Sequence, residues 1–139
     1  MSIQASDYVV LDVETNGLSS LRDDLLSISI YQPDTQRLYN RFLPLDLNRD
    51  VYTTHINGIT KKDLKKATHL SQDEVDALIE EFGLLNRTIL TYGSIDEKFI
   101  KNYFKHHFFI TIYYQAFPFF LDFRNLLKVC IKNILSLIL

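Results

Sequence analysis

Tyr8-Val9-Val10-Leu11-Asp12-Val13-Glu14-Thr15-Asn16-Gly17 is the stretch that decides how this chain folds. An apolar run leads into two carboxylates two residues apart, and a glycine-containing turn closes it. Side chains on a strand alternate, so Asp12 and Glu14 leave from the same face. Two like charges set side by side on a half-buried strand repel each other and resist desolvation. Mg²⁺ or Mn²⁺, which prefer hard carboxylate oxygens, would offset that cost. Gly17 lets a ligand approach the backbone closely. The same residues also fit a strand that simply ends in a polar turn.

Working outward, the first half of the chain reads as a sheet. Residues 7–13 form a strand, and Leu25–Tyr31 and Arg37–Leu43 follow, the latter two joined through the turn cluster Gln32-Pro33-Asp34-Thr35. Short links between consecutive strands predict an antiparallel meander. The period then changes. Ser71-Gln72-Asp73-Glu74 has the pattern of a capping box, and Val75, Leu78, Ile79 and Phe82 recur at helical spacing before Gly83. Thr88–Tyr92 reads as a short buried strand. Ser94-Ile95-Asp96-Glu97 is a second capping-box pattern, opening a helix whose Phe99, Ile100, Tyr103 and Phe104 face the core. Asp96 thereby falls in the first turn of a helix just after a strand. Acidic residues are favoured there by the helix dipole, but the carboxyl end of a strand is also where α/β sites collect.

Composition sets bounds. The 139 residues fit one domain, residues 1–139, and 47% hydrophobic content supplies a core. A single cysteine, Cys130, excludes an internal disulfide and suits a reducing cytoplasm. No cationic-then-apolar leader opens the chain. The net charge of −2 does not advertise bulk nucleic-acid affinity, yet a local groove can stay basic while acidic ligands lower the total.

Three segments in order carry a family resemblance. Asp12–Gly17 resembles the first motif of the DnaQ-like (DEDD) 3′–5′ exonucleases, the family of the proofreading epsilon subunit of bacterial DNA polymerase III. Thr54-His55-Ile56-Asn57-Gly58-Ile59-Thr60 with Asp63-Leu64 resembles the segment between its first and second motifs. Thr91-Tyr92-Gly93-Ser94-Ile95-Asp96 with Phe99-Ile100 resembles the second. The resemblance implies a ribonuclease-H-like α/β fold, a mixed β-sheet flanked by helices. It implies a metal-dependent exonuclease that hydrolyses terminal phosphodiesters of DNA or RNA to nucleoside 5′-monophosphates, in proofreading or repair. Asp12, Glu14 and Asp96 would be the catalytic and metal-binding residues for Mg²⁺ or Mn²⁺, two ions in the family. Thr15, Asn16, Gly17, His55, Ile59 and Tyr92 would contact the substrate, a single-stranded or frayed 3′ end. The implied partners are that nucleic acid and a DNA polymerase, with no membrane.

The family's third motif, which supplies a fourth carboxylate and a histidine or tyrosine base ahead of it, finds no match. After Glu97 the only acidic residue is Asp122, with Phe117 and Pro118 in the places of the base. Phe120-Leu121-Asp122 instead resembles the short strand that precedes that motif. The exonuclease-like part is therefore expected over residues 1–106, with a divergent apolar tail over 107–139 and an incomplete C-terminal part, through truncation or a shifted reading frame. Without the fourth ligand the second ion is expected to bind weakly. An alternative is a truncated, catalytically weak nucleic-acid-binding remnant of the family. In the tail, Phe108–Phe120 is aromatic and uncharged. Asn125, Lys128, Lys132 and Ser136 make a narrow polar stripe on an otherwise apolar helix, read as a core helix, with a membrane-surface or partner-binding helix as the lesser alternative. His69 reads as a surface residue. His106 and His107 suit the C-terminal end of the second helix, a substitute base being their lesser reading.

Overall fold

The structure, a computed structural model, describes residues 4–46, 48–107 and 120–122. One turn of 3₁₀ helix, Ala5–Asp7, leads into β1, Tyr8–Thr15. Strands β2, Leu25–Gln32, and β3, Arg37–Phe42, complete the antiparallel meander. Two single-turn helices come next, α1 at Thr54–Asn57 and α2 at Lys61–Leu64. Helix α3, Gln72–Glu81, β4, Thr88–Thr91, α4, Ser94–His107, and β5, Phe120–Asp122, complete the order. The sheet runs β3-β2-β1-β4-β5, with β4 parallel to β1 and β5 parallel to β4. It is the mixed sheet flanked by helices that the sequence predicts.

Alternation in β1 divides the sheet's two faces. Val9, Leu11 and Val13 enter the main core with Ile28, Ile30 and Ile89, beneath Val75, Leu78 and Phe82 of the α3 segment and Phe99, Ile100, Tyr103 and Phe104 of α4. Asp12 and Glu14 belong to the opposite parity. They lie across from Ser29 and Ser27 of β2, so small polar residues flank the acids where an alternating strand would otherwise bring bulk.

The predicted strands hold with end shifts. β1 continues to Thr15, beyond the expected residue 13, because Glu14 pairs with Ser27 and Thr15 with Leu25 across an irregularity. The acids thus sit inside a paired strand, which fixes their backbone. The turn at 32–36 is pinned by Arg87, whose guanidinium donates to both oxygens of Asp34 at 3.0 and 3.1 Å. That ion pair joins the hairpin to the start of β4 and holds the Asp34 carboxyl below its usual range.

The Ser71 capping box forms as expected: Ser71 Oγ accepts Glu74 N–H at 3.1 Å, and Glu74 Oε2 accepts Ser71 N–H at 3.0 Å. At the second pattern, helix α4 begins at Ser94 itself, with Asp96 and Glu97 in its first turn. His69 is exposed as expected, but its Nδ1 lies 3.2 Å from the Tyr103 hydroxyl, which also accepts Leu70 N–H at 3.1 Å. Residues 106 and 107 close α4, and Phe120–Asp122 forms the predicted short strand. The rest of the aromatic run and the helix expected over Asn125–Leu139 lie outside the described residues. No described helix is long and apolar enough to cross a membrane.

Candidate active site

Asp12 and Glu14 stand at the carboxyl end of β1, the middle strand of the sheet. Burial pushes the Asp12 carboxyl up to about 6 against a counteracting backbone hydrogen bond at Val13. Burial and the neighbouring Asp12 charge push Glu14 up to about 7, while a side-chain hydrogen bond from Asn57 acts the other way. This is the signature of two acids held together against their own repulsion. All their donor atoms are hard oxygens, and a divalent cation would relieve both the desolvation and the repulsion. The pair therefore fits Mg²⁺ or Mn²⁺ by donor chemistry.

Asp96 approaches from the neighbouring element. It falls in the first turn of α4, directly beyond β4, which runs parallel beside β1. Helical spacing puts it on the stripe of Phe99, Ile100 and Tyr103, all buried. Its Oδ2 is excluded from solvent. The expected cage of three carboxylates is not closed: among the described residues no three His, Cys, Asp or Glu side chains come together tightly enough to hold a metal ion. Asp12 and Glu14 are paired by one strand. Asp96 instead rides a helix whose seat is set by core packing of Phe99 and Ile100.

The residues expected to touch substrate divide into two groups. Asn16 is 4% exposed and spends its amide on the chain itself, donating from Nδ2 to Asp50 O at 2.9 Å and accepting Tyr52 N–H on Oδ1 at 2.7 Å. Ile59 packs with Leu26 and Leu64 in a small second core. Asn16 ties the end of β1 to residues 50–52, and Ile59 packs the same segment onto Leu26 of β2. Thr15 ends β1 directly after Glu14, and Gly17 lies in the turn beyond it. The Thr15 hydroxyl donates to Gly17 O at 2.7 Å. At Gly17 any Cβ would overlap the Asp23 carboxylate, so the turn needs glycine. His55 on α1 and Tyr92 after β4 are exposed.

Asn57 is a neighbour of the acid pair that motif reading did not single out. It donates to Thr53 Oγ1 at 3.0 Å and to Thr15 O at 3.4 Å, accepts Ile59 N–H at 3.0 Å, and acts to lower the neighbouring Glu14 carboxyl. The available signal was local: Gly58 stops α1 with φ 74°, and Thr60 and Asp63 make a reciprocal capping box for α2. Those signals predict two short helices with Asn57 at their junction. Large apolar side chains are also exposed at this end of the sheet: Leu18, Ile56 and Tyr92 are 80%, 75% and 46% accessible.

A parallel β4 laid beside an antiparallel β1–β3 meander, flanked by helices, is a ribonuclease-H-like fold. Exonuclease I shares it: the apo structure superposes with a TM-score of 0.69 at 16% identity, over 91% of this chain and 31% of that one. E. coli exonuclease I in complex with a dT13 oligonucleotide gives 0.68 at 15% identity, over 88% of this chain and 29% of that one. In sequence, the chain is similar to the PolC-type DNA polymerase III of Streptococcus pyogenes serotype M2, 33% identical over 73 residues, which is 50% of this chain. The Streptococcus pneumoniae D39 counterpart is 32% identical over 75 residues, or 52% of this chain. The chain spans about 5% of the length of these polymerases. No family model matches it.

Proposed function

We propose that this chain removes nucleotides from the 3′ end of a single-stranded or frayed DNA or RNA strand, releasing nucleoside 5′-monophosphates in a Mg²⁺- or Mn²⁺-dependent hydrolysis. The observation that carries this reading is the desolvated Asp12–Glu14 pair at the carboxyl end of the middle strand of an exonuclease fold. Bound divalent metal would activate the attacking water and stabilise the leaving oxygen. Asp12 and Glu14 hold that charge, with Asp96 as a further acid at the same edge. Asn57 sits beside Glu14, favours its charged form, and braces α1 against β1. Tyr92, Ile56 and Leu18 offer apolar surface on which a splayed terminal base stacks. The similarity to PolC-type polymerases supports a place beside a DNA polymerase or in repair, in the cytoplasm.

The lack of a three-acid cluster among the described residues favours a second reading, a nucleic-acid-binding domain of the same fold that hydrolyses slowly. One experiment decides between them. A 5′-labelled oligonucleotide with a free 3′ hydroxyl, incubated with Mg²⁺ or Mn²⁺, should shorten stepwise from its 3′ end, and Asp12→Ala should stop this. An intact oligonucleotide, or shortening that persists in Asp12→Ala, overturns the hydrolase.

A further inference from the structure

The chain is acidic overall, yet residues 61–66 hold four lysines, Lys61, Lys62, Lys65 and Lys66, against one carboxylate, Asp63. Three of them line an open groove of about 640 Å³ together with Arg49, over an aliphatic floor that includes Leu45 and Leu64. Leu64 is buried in the second core with Ile59, so the lysines of α2 are anchored from beneath. Lys61 pairs with Asp50 at 3.0 Å, while Lys62 and Lys65 have no carboxylate within ion-pair distance among the described residues.

From this groove we infer that the phosphodiester backbone of the substrate strand lies across Arg49, Lys61, Lys62 and Lys65 on its way to the acid pair. The inference rests on the reading of the site proposed above. Charge complementarity carries it: residues three and four apart on one helical turn present adjacent ammonium groups, which suit successive phosphates. The groove is also bonded to the acid site's scaffold. Asp50 meets Lys61 through its carboxylate and Asn16 through its carbonyl, and Asn16 is two residues past Glu14. Among the described residues no aromatic side chain lines the groove, which offers phosphate-binding cations rather than a stacking surface. It tracks the sugar–phosphate chain without reading sequence, leaving base contact to the far end at Tyr92 and Ile56.

The test is fluorescence anisotropy of a 5′-labelled oligothymidylate of about 16 nucleotides, in Ca²⁺ to separate binding from turnover, across a salt series. The exposed pair Lys62→Ala/Lys65→Ala should weaken binding about tenfold and reduce the slope of log affinity against log salt by about 1.4, since each single-strand phosphate contact contributes about 0.7. Arg37→Ala/Lys98→Ala, which removes the same charge elsewhere, should leave the slope unchanged. A strand of about 4 nucleotides, seated at the acid pair, should be much less affected. Equal slopes in wild type and the lysine variant overturn the groove and leave the hydrolase reading standing. So does an equal loss in both variants, or a lysine-dependent affinity for an acidic peptide with strand binding unaltered. A wild-type chain that binds no strand at all overturns both.

Discussion

Asn16 Oδ1 accepts the backbone N–H of Tyr52 at 2.7 Å, joining the end of β1 to a segment 36 residues later. With the Nδ2 bond to Asp50 O, this buried amide sets where α1, and hence Asn57, meets the acid pair. Asn16→Ala removes two part-buried hydrogen bonds, to Tyr52 N–H and Asp50 O. It should cost about 1–3 kcal/mol of stability, measured by urea unfolding, with Asn16→Asp also destabilising because it loses the donor to Asp50.

Asn57→Ala should loosen α1 against β1, since it removes the bonds to Thr15 O, Thr53 Oγ1 and Ile59 N–H, and weaken the acid site with it. A polar neighbour of a metal-binding carboxylate typically contributes about 10–100-fold in metal affinity or activity. Calorimetry with Mn²⁺ should show affinity falling by that order while the circular dichroism spectrum stays that of the folded chain. Affinity equal to wild type would remove Asn57 from the site.

Stability should fall as pH rises. Asp12 and Glu14 have folded-state values near 6 and 7, above their ordinary 3.8 and 4.5, so over that range the folded chain binds more protons than the unfolded one. Their neutral forms cost nothing below about pH 4, and the penalty is complete above about pH 7. For Asp12 a displacement of about two units corresponds to about 3 kcal/mol; partly exposed Glu14 adds a smaller share. Denaturant midpoints in EDTA should therefore drop between pH 4.5 and 7.5, after allowance for groups elsewhere. Asp12→Asn should flatten this trend and stabilise the metal-free chain at pH 7.5. Added Mn²⁺ should recover stability in wild type by mass action and do little in the variant.

Ser71→Ala should lower stability by about 0.5–2 kcal/mol, the usual worth of a helix N-cap. The loss should lie toward the upper end, because Glu74, its partner in the box, also receives Arg41 Nη1 at 3.1 Å and ties α3 to β3. Thermal unfolding of the single and of Ser71→Ala/Arg41→Ala should show a non-additive loss.

Much of this protein was legible because its information is local. The alternation of Val9, Leu11 and Val13 with Asp12 and Glu14 is a property of ten consecutive residues, and it set both the strand and the shared face of the acids. The stripe of Phe99, Ile100, Tyr103 and Phe104 likewise set the core-facing side of α4, with Asp96 in its first turn. The ends of elements were less legible: β1 runs on to Thr15 because β2 supplies partners, and Ser94 joins the helix it was expected to cap.

What only the tertiary structure decided depends on contacts between residues far apart in the chain. Asn16 and Ile59 looked like substrate contacts because they sit within motif-like segments. In the fold Asn16 ties the end of β1 to residues 50–52, and Ile59 packs the same segment onto Leu26 of β2. Asn57 gained its role the same way, meeting Glu14 and the Thr15 carbonyl across more than forty residues of sequence. Whether three acids converge is also a tertiary matter. The strand fixes the spacing of Asp12 and Glu14, but the place of Asp96 follows from how α4 seats Phe99 and Ile100 in the core, and side-chain periodicity carries no information about that distance.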